Sequence, residues 1–252
     1  MTMTNLLQRS EIKPRLRMAW WQWLVHLASW GPLAVLIYDV LNNRLSANPI
    51  QDITFRTGTT ALVFLVLSLV CTPLVALLGI KQAQKLRRPL GLYAFLYVVL
   101  HFLIFSVLDY ALDLDLILGT IAEKRYILVG LTAFVLLIPL ALTSTKGWMK
   151  RLGKKWKTLH ALVYLIAPLA VVHYVWLVKA DIRVPLQYGA VVGLLLFVRI
   201  PRVRRFLVNL RYRLTALVQT GKTGKGVPSA TPTRATPSQA PVERNINDAS
   251  AR

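Results

Sequence analysis

Residues 158–178, TLHALVYLIAPLAVVHYVWLV, contain no Lys, Arg, Asp or Glu and carry two histidines, His160 and His173. A helix crosses the hydrocarbon core of a bilayer with about 20 apolar residues, so this stretch predicts a membrane span. Charge-free runs of the same kind extend from Met18 to Tyr38, Thr57 to Ile80, Pro89 to Leu108 and Tyr126 to Thr145, with a shorter one from Val184 to Val198. Arg183 and Arg199 bracket the short run and, by snorkelling to the interfaces, extend it to a sixth span. With 55% hydrophobic and 16% charged residues, the chain is expected to be an all-α membrane protein, a six-transmembrane-helix bundle with short loops and antiparallel neighbours.

The net charge of +21 does not mark a nucleic-acid surface, because the basic residues are segregated by loop. Four precede the first span, four lie in KQAQKLRRP (81–89), six between Lys146 and Lys157, and six between Arg199 and Arg213; the intervening loops carry two each. This positive-inside pattern predicts that both termini are cytoplasmic. Seven of the ten acidic residues (Asp39, Asp52, Asp109, Asp113, Asp115, Glu123 and Asp181) fall on the opposite side. The basic side is expected to meet anionic membrane lipids and a cytoplasmic donor, and no nucleic acid.

Composition divides the chain into a basic cytoplasmic arm (1–17), a six-helix transmembrane domain (18–200), a basic interfacial helix (201–218) and a disordered cytoplasmic tail (219–252) rich in Gly, Thr, Pro, Ser and Ala. The first run is too long and lacks the small-residue cleavage site of a signal peptide, so it is expected to stay as a helix. The acidic loop Asp109 to Arg125 is expected to be partly helical and interfacial. Cys71, the single cysteine, is mid-span and reads as a small core residue. GKTGKG in the tail lacks the phosphate-loop spacing, and the chain has no G-x-G-x-x-G and no C-x-x-C-H.

All four histidines, His26, His101, His160 and His173, lie in apolar stretches. Imidazole is a metal ligand in its neutral form and costly to charge in hydrocarbon, so this placement points to metal binding. At about 1.5 Å per residue, His101 lies roughly 18 Å above the inner face, His173 roughly 22 Å and His160 about 3 Å. Depth therefore pairs His101 with His173 as the two axial ligands of a haem iron, a closed six-coordinate site suited to electron transfer. Arg87 precedes His101 by fourteen residues, within roughly 40° of the same helix face, at the depth of His160. His160 is then an inner ligand, with Arg87 pairing with a haem propionate, filling the sixth coordination position, or serving only as a topology charge. His160 and His173 stand about 220° apart on an ideal helix, and a kink at Pro168 is expected to supply the rotation. His26 has no partner at its depth and reads as structural.

Segments TGTTALVFLVLSLVCTPL, LRRPLGLYAFLYVVLHFLIFS, LALTSTKGWMKRLGKKWKTLHALVYL and VHYVWLVKADI together resemble the MsrQ (YedZ) family, part of the wider ferric reductase-like transmembrane group. The resemblance covers roughly residues 20 to 210. It implies a ferric reductase-like six-helix bundle with haem b, one or two per chain, associated FMN, and a bacterial inner-membrane location. It also implies that the chain is a non-catalytic electron-transfer subunit. Electrons from the quinone pool or a cytoplasmic flavin reductase would pass to a periplasmic molybdenum-containing methionine sulfoxide reductase, MsrP, for repair of oxidised proteins. The family's histidines map to His101, His160 and His173, and its basic residue to Arg87; related oxidases carry a second histidine where Arg87 stands. Two rivals remain: a stand-alone ferric or quinone oxidoreductase, and a transporter whose histidines relay protons.

Overall fold

The computed structural model describes residues 20–178 and 181–210, with side chains from Gln22 onward. It is helical throughout: α1 (Trp20–Leu41), α2 (Pro49–Pro73), α3 (Ala83–Leu103), α4 (Leu114–Glu123), α5 (Arg125–Leu142), α6 (Lys146–Leu152), α7 (Lys154–His160), α8 (Val163–Leu177) and α9 (Arg183–Phe197). A further helical stretch, α10, covers Pro201–Leu210. α2 and α3 each close in a wider π-helical turn, Leu74–Leu78 and Ile104–Asp109. The expected N-terminal arm and tail lie outside the described residues, and of the interfacial helix only Pro201–Leu210 falls within them.

Local chemistry sets the helix ends. Asn48 caps α2 by accepting the Gln51 N–H at 3.2 Å, with Pro49 in the first position, where its missing donor costs nothing. Gly79 stops the helix with φ of 73°, a left-handed conformation open to glycine. Within the apolar helices, hydroxyls turn back onto their own backbone: Ser29 to Val25, Thr57 to Ile53, Thr60 to Arg56 and Ser144 to Leu140. A hydroxyl within an apolar bundle has no water, so the carbonyl one turn earlier is its available partner.

Among the described residues five helices are long and apolar enough to cross a membrane: Gln22–Leu41, Pro49–Leu78, Ala83–Asp109, Arg125–Leu142 and Lys154–Leu177. Large apolar side chains such as Trp23, Leu27, Leu128, Val135, Leu165 and Leu194 are exposed on the outside of the bundle, as a lipid solvent requires. The chain is therefore a multi-pass membrane protein. A sixth span exists only if α9 and α10 are counted together across their 80° bend. α9 alone has 15 residues, about 22 Å of helix against a core of about 30 Å. Arg199, expected to snorkel outward from its end, instead turns inward and donates Nη2 to the Leu69 carbonyl of α2 at 2.6 Å.

α2 lies along α3 and α5 along α8, with α9 against α8. The core between them is made by Leu69, Ala94, Tyr97, Ile166 and Ala167 among others. α1 is held to α3 by the Tyr97 hydroxyl, which donates to the Ser29 carbonyl at 2.8 Å and accepts from the Leu33 N–H at 3.2 Å. The acidic residues and the Lys/Arg clusters occupy opposite ends of the helices, so the bundle has an acidic end and a basic end. At the acidic end Arg56 bridges Asp39 of α1 at 2.6 Å and Asp52 of α2 at 2.8 Å. The loop after α3 is partly helical, as its sequence suggests: α4 is capped by Asp113 and buries Ile117.

Candidate haem-ligand site

The structure brings His101 of α3 and His173 of α8 together, with ring centroids 6.3 Å apart and ring planes at 86°. Their depths, read from chain topology alone, agree with this contact. Each ring is fixed in the same way. His101 Nδ1 hydrogen-bonds the Thr54 carbonyl of α2 at 2.8 Å, and His173 Nδ1 the Tyr126 carbonyl of α5 at 2.6 Å. A carbonyl only accepts, so Nδ1 carries the proton in both rings and Nε2 keeps its lone pair.

One turn beyond each acceptor stands a glycine, Gly58 after Thr54 and Gly130 after Tyr126. A Cβ at Gly58 would sit 3.0 Å from His101 Nδ1 and Cε1; at Gly130 it would sit 2.5 Å from His173 Nδ1 and 2.7 Å from Cε1. Only a bare backbone lets the imidazole edge close on the carbonyl, so the two glycines are notches for the rings. The device is repeated: in both cases 47 residues separate the acceptor from its histidine. The spacing of Thr54 and Gly58 before His101, repeated by Tyr126 and Gly130 before His173, is the signal by which these residues are legible in the sequence.

The donor set can be tested against a metal. Among the described residues no three His, Cys, Asp or Glu side chains cluster as an all-protein metal site. Two imidazoles suit instead an iron whose other ligands come from a macrocycle. Two metal–imidazole bonds of about 2 Å each, plus the inner halves of the two rings, span a distance close to the observed centroid separation. A ligating imidazole usually gives its other nitrogen to a carbonyl that sets its tautomer and orientation, as Thr54 and Tyr126 do here. The residues present fit a bis-imidazole haem.

His160, at the basic end, is built differently. The Thr143 hydroxyl donates to the Pro139 carbonyl at 2.6 Å, so its oxygen accepts from His160 Nε2–H at 3.1 Å. The ring stacks on Trp156 with centroids 4.1 Å apart, and the Trp156 indole N–H donates to the Thr143 carbonyl at 3.0 Å. Among the described residues, no second imidazole joins it. Arg87 is half-buried and within electrostatic reach of His160, whereas Arg88 is exposed. Between His160 and His173 the helix is interrupted at Ala161–Leu162, where Leu162, Tyr164 and Leu165 bond three residues back and wind the chain more tightly; α8 then continues through Pro168. His26, for which the sequence offers no partner, hydrogen-bonds the Tyr93 hydroxyl at 2.9 Å. Cys71 is buried, with Sγ 3.3 Å from the Leu67 carbonyl, as a core residue would be.

Comparison with known proteins bears on this arrangement. Residues 57–171 match the family described as the ferric reductase like transmembrane component. That segment holds Gly58, Arg87, His101, Gly130 and His160, and ends two residues before His173. The heme-binding subunit MsrQ of protein-methionine-sulfoxide reductase from Herminiimonas arsenicoxydans is 44% identical over 180 residues, 70% of this chain and 83% of that one. The proteins of the same name from Xanthomonas euvesicatoria pv. vesicatoria and Caulobacter vibrioides are each 43% identical, covering 82% and 87% of their own lengths and 69% and 72% of this chain. No solved structure shows a significant match.

Proposed function

Since the chain belongs to the MsrQ family, we propose that it is the haem-binding, electron-transferring membrane subunit of a protein-methionine-sulfoxide reductase. One observation carries the reading: His101 and His173 meet at 6.3 Å with both Nδ1 atoms tied to backbone carbonyls. His101 and His173 hold one haem b. When bound, that haem would supply one-electron chemistry. The protein's part is to fix the two rings through Thr54 and Tyr126, make room for them at Gly58 and Gly130, and keep water away with the apolar core around them.

His160 and Arg87 mark a second cofactor position nearer the basic end, a further haem b or FMN, in which Arg87 meets an anionic group of the cofactor. Counting α9 with α10 gives six spans. The Lys- and Arg-rich end, with both termini, then faces the cytoplasm of a bacterial inner membrane. Electrons come from the quinone pool or a cytoplasmic flavin reductase and leave at the acidic end to a periplasmic molybdenum-containing reductase of the MsrP kind. The chain is the conduit and the partner performs the sulfoxide chemistry.

The test is reconstitution of the purified chain with such a partner. Electron delivery to methionine sulfoxide should require both proteins and be lost in His101→Ala and His173→Ala. Reduction of ferric chelates by the chain alone, with no transfer to the partner, would favour a stand-alone oxidoreductase.

A further inference from the structure

The basic end holds a buried guanidinium that the protein does not fully neutralise. Arg199, in the turn between α9 and α10, places Nη2 on the Leu69 carbonyl at 2.6 Å and its Cζ 4.7 Å from the Tyr164 ring centroid of α8. Its Nε and Nη1 are buried without hydrogen-bond partners. The Thr72 hydroxyl, one turn along α2 from Leu69, is likewise buried and unpartnered. Arg87 lies close enough to act electrostatically on Arg199 as well as on His160.

Such an arrangement is costly. Buried donors without acceptors lose their hydration, and two guanidinium groups within range repel each other. The contrast with Arg56 is direct: it has carboxylates on both sides at the acidic end, and these are the ion pairs among the described residues. All seven acidic residues within the described residues lie at that end, none near Arg199. Tyr164 offers its ring face and brings its hydroxyl within electrostatic reach of the guanidinium, yet Nε and Nη1 still lack a hydrogen-bond partner.

We propose that Arg199 and Arg87 form a binding site for the oxyanion of a membrane-embedded redox cofactor, a carboxylate of haem or the phosphate of FMN. The site rests on the reading that the chain carries redox cofactors, and it adds Arg199, in the turn before α10, to the inner position of His160. A guanidinium is the side chain suited to either oxyanion, through charge-assisted bonds to several oxygens.

The test uses the full-length protein purified in detergent as wild type, R199Q, R199K and R87Q. Haem and FMN per chain are quantified, and midpoint potentials are measured by redox titration. R199Q should retain one cofactor roughly ten- to hundredfold more weakly, or shift its potential, while the His101–His173 signal keeps its spectrum. R199K, which keeps the charge without the planar fork, should fall between wild type and R199Q. Selective loss of haem identifies the carboxylate, and selective loss of FMN the phosphate. R87Q should change the same cofactor more weakly, and it carries the test if R199Q does not fold. Wild-type cofactor content and potentials in R199Q and R87Q would overturn the proposal and leave the bis-histidine haem standing. A wild-type chain with neither haem nor FMN would overturn both.

Discussion

His101 and His173 at the acidic half of the bundle and His160 at the basic half are the same side chain held by opposite nitrogens. In the first two, Nδ1 bonds a backbone carbonyl beside a glycine notch and Nε2 is left free. In the third, Nε2 is bound to Thr143 and the ring lies on Trp156, with Arg87 in electrostatic reach and, among the described residues, no second imidazole. The acidic half thus leaves two imidazole lone pairs unused, and the basic half leaves guanidinium donors without partners. Counting intramembrane histidines does not separate these roles; the atom each ring commits to the backbone or to a hydroxyl does.

The sharpest way to break the contrast is at Gly130. A Cβ 2.5 Å from His173 Nδ1 leaves the ring no room on the Tyr126 carbonyl. Gly130→Ala should weaken haem retention roughly ten- to hundredfold, the range for disturbing an outer-shell partner of a ligand, as read by haem per chain after dialysis against a haem scavenger. Gly58→Ala meets His101 at 3.0 Å and asks for a smaller displacement, so its loss should be near the lower end, about tenfold. Equal retention in both alanine variants and wild type would show that the notches do not position the rings. His160→Ala should leave the His101–His173 signal intact and affect only the second component of a redox titration; a change in the first would merge the two sites. Smallest of all, Arg56→Gln should lower thermal stability by at most about 1 kcal/mol, since its partly exposed pairs are screened, and leave the haem spectrum unchanged.

Much of this architecture is legible in the chain. Charge-free runs give five of the spans, and depth along them pairs His101 with His173, because helix rise is constant. The sixth span is less legible: Val184 to Val198 is short, and the 80° bend before α10 depends on how the chain packs after Arg199. Arg199 itself reads as a snorkelling end residue, yet the Leu69 carbonyl and the Tyr164 ring draw it inward, contacts between helices that no local pattern encodes. The same holds for Thr143, which lies 17 residues before His160 and decides which nitrogen that ring uses. The turn at Ala161–Leu162 is hidden for a related reason: a proline such as Pro168 is visible in sequence, while this tightened turn comes from ordinary residues.

The central claim is that His101 and His173 jointly ligate one haem iron. It is tested most directly by reduced-minus-oxidised spectra, with haem quantification, of the purified wild-type chain and of His101→Ala and His173→Ala. The account predicts a low-spin b-type signal in the wild type and loss of the same signal in either variant, because each ring supplies one of the two axial ligands. A wild-type chain without a b-type signal, or variants that keep it undiminished, would contradict it.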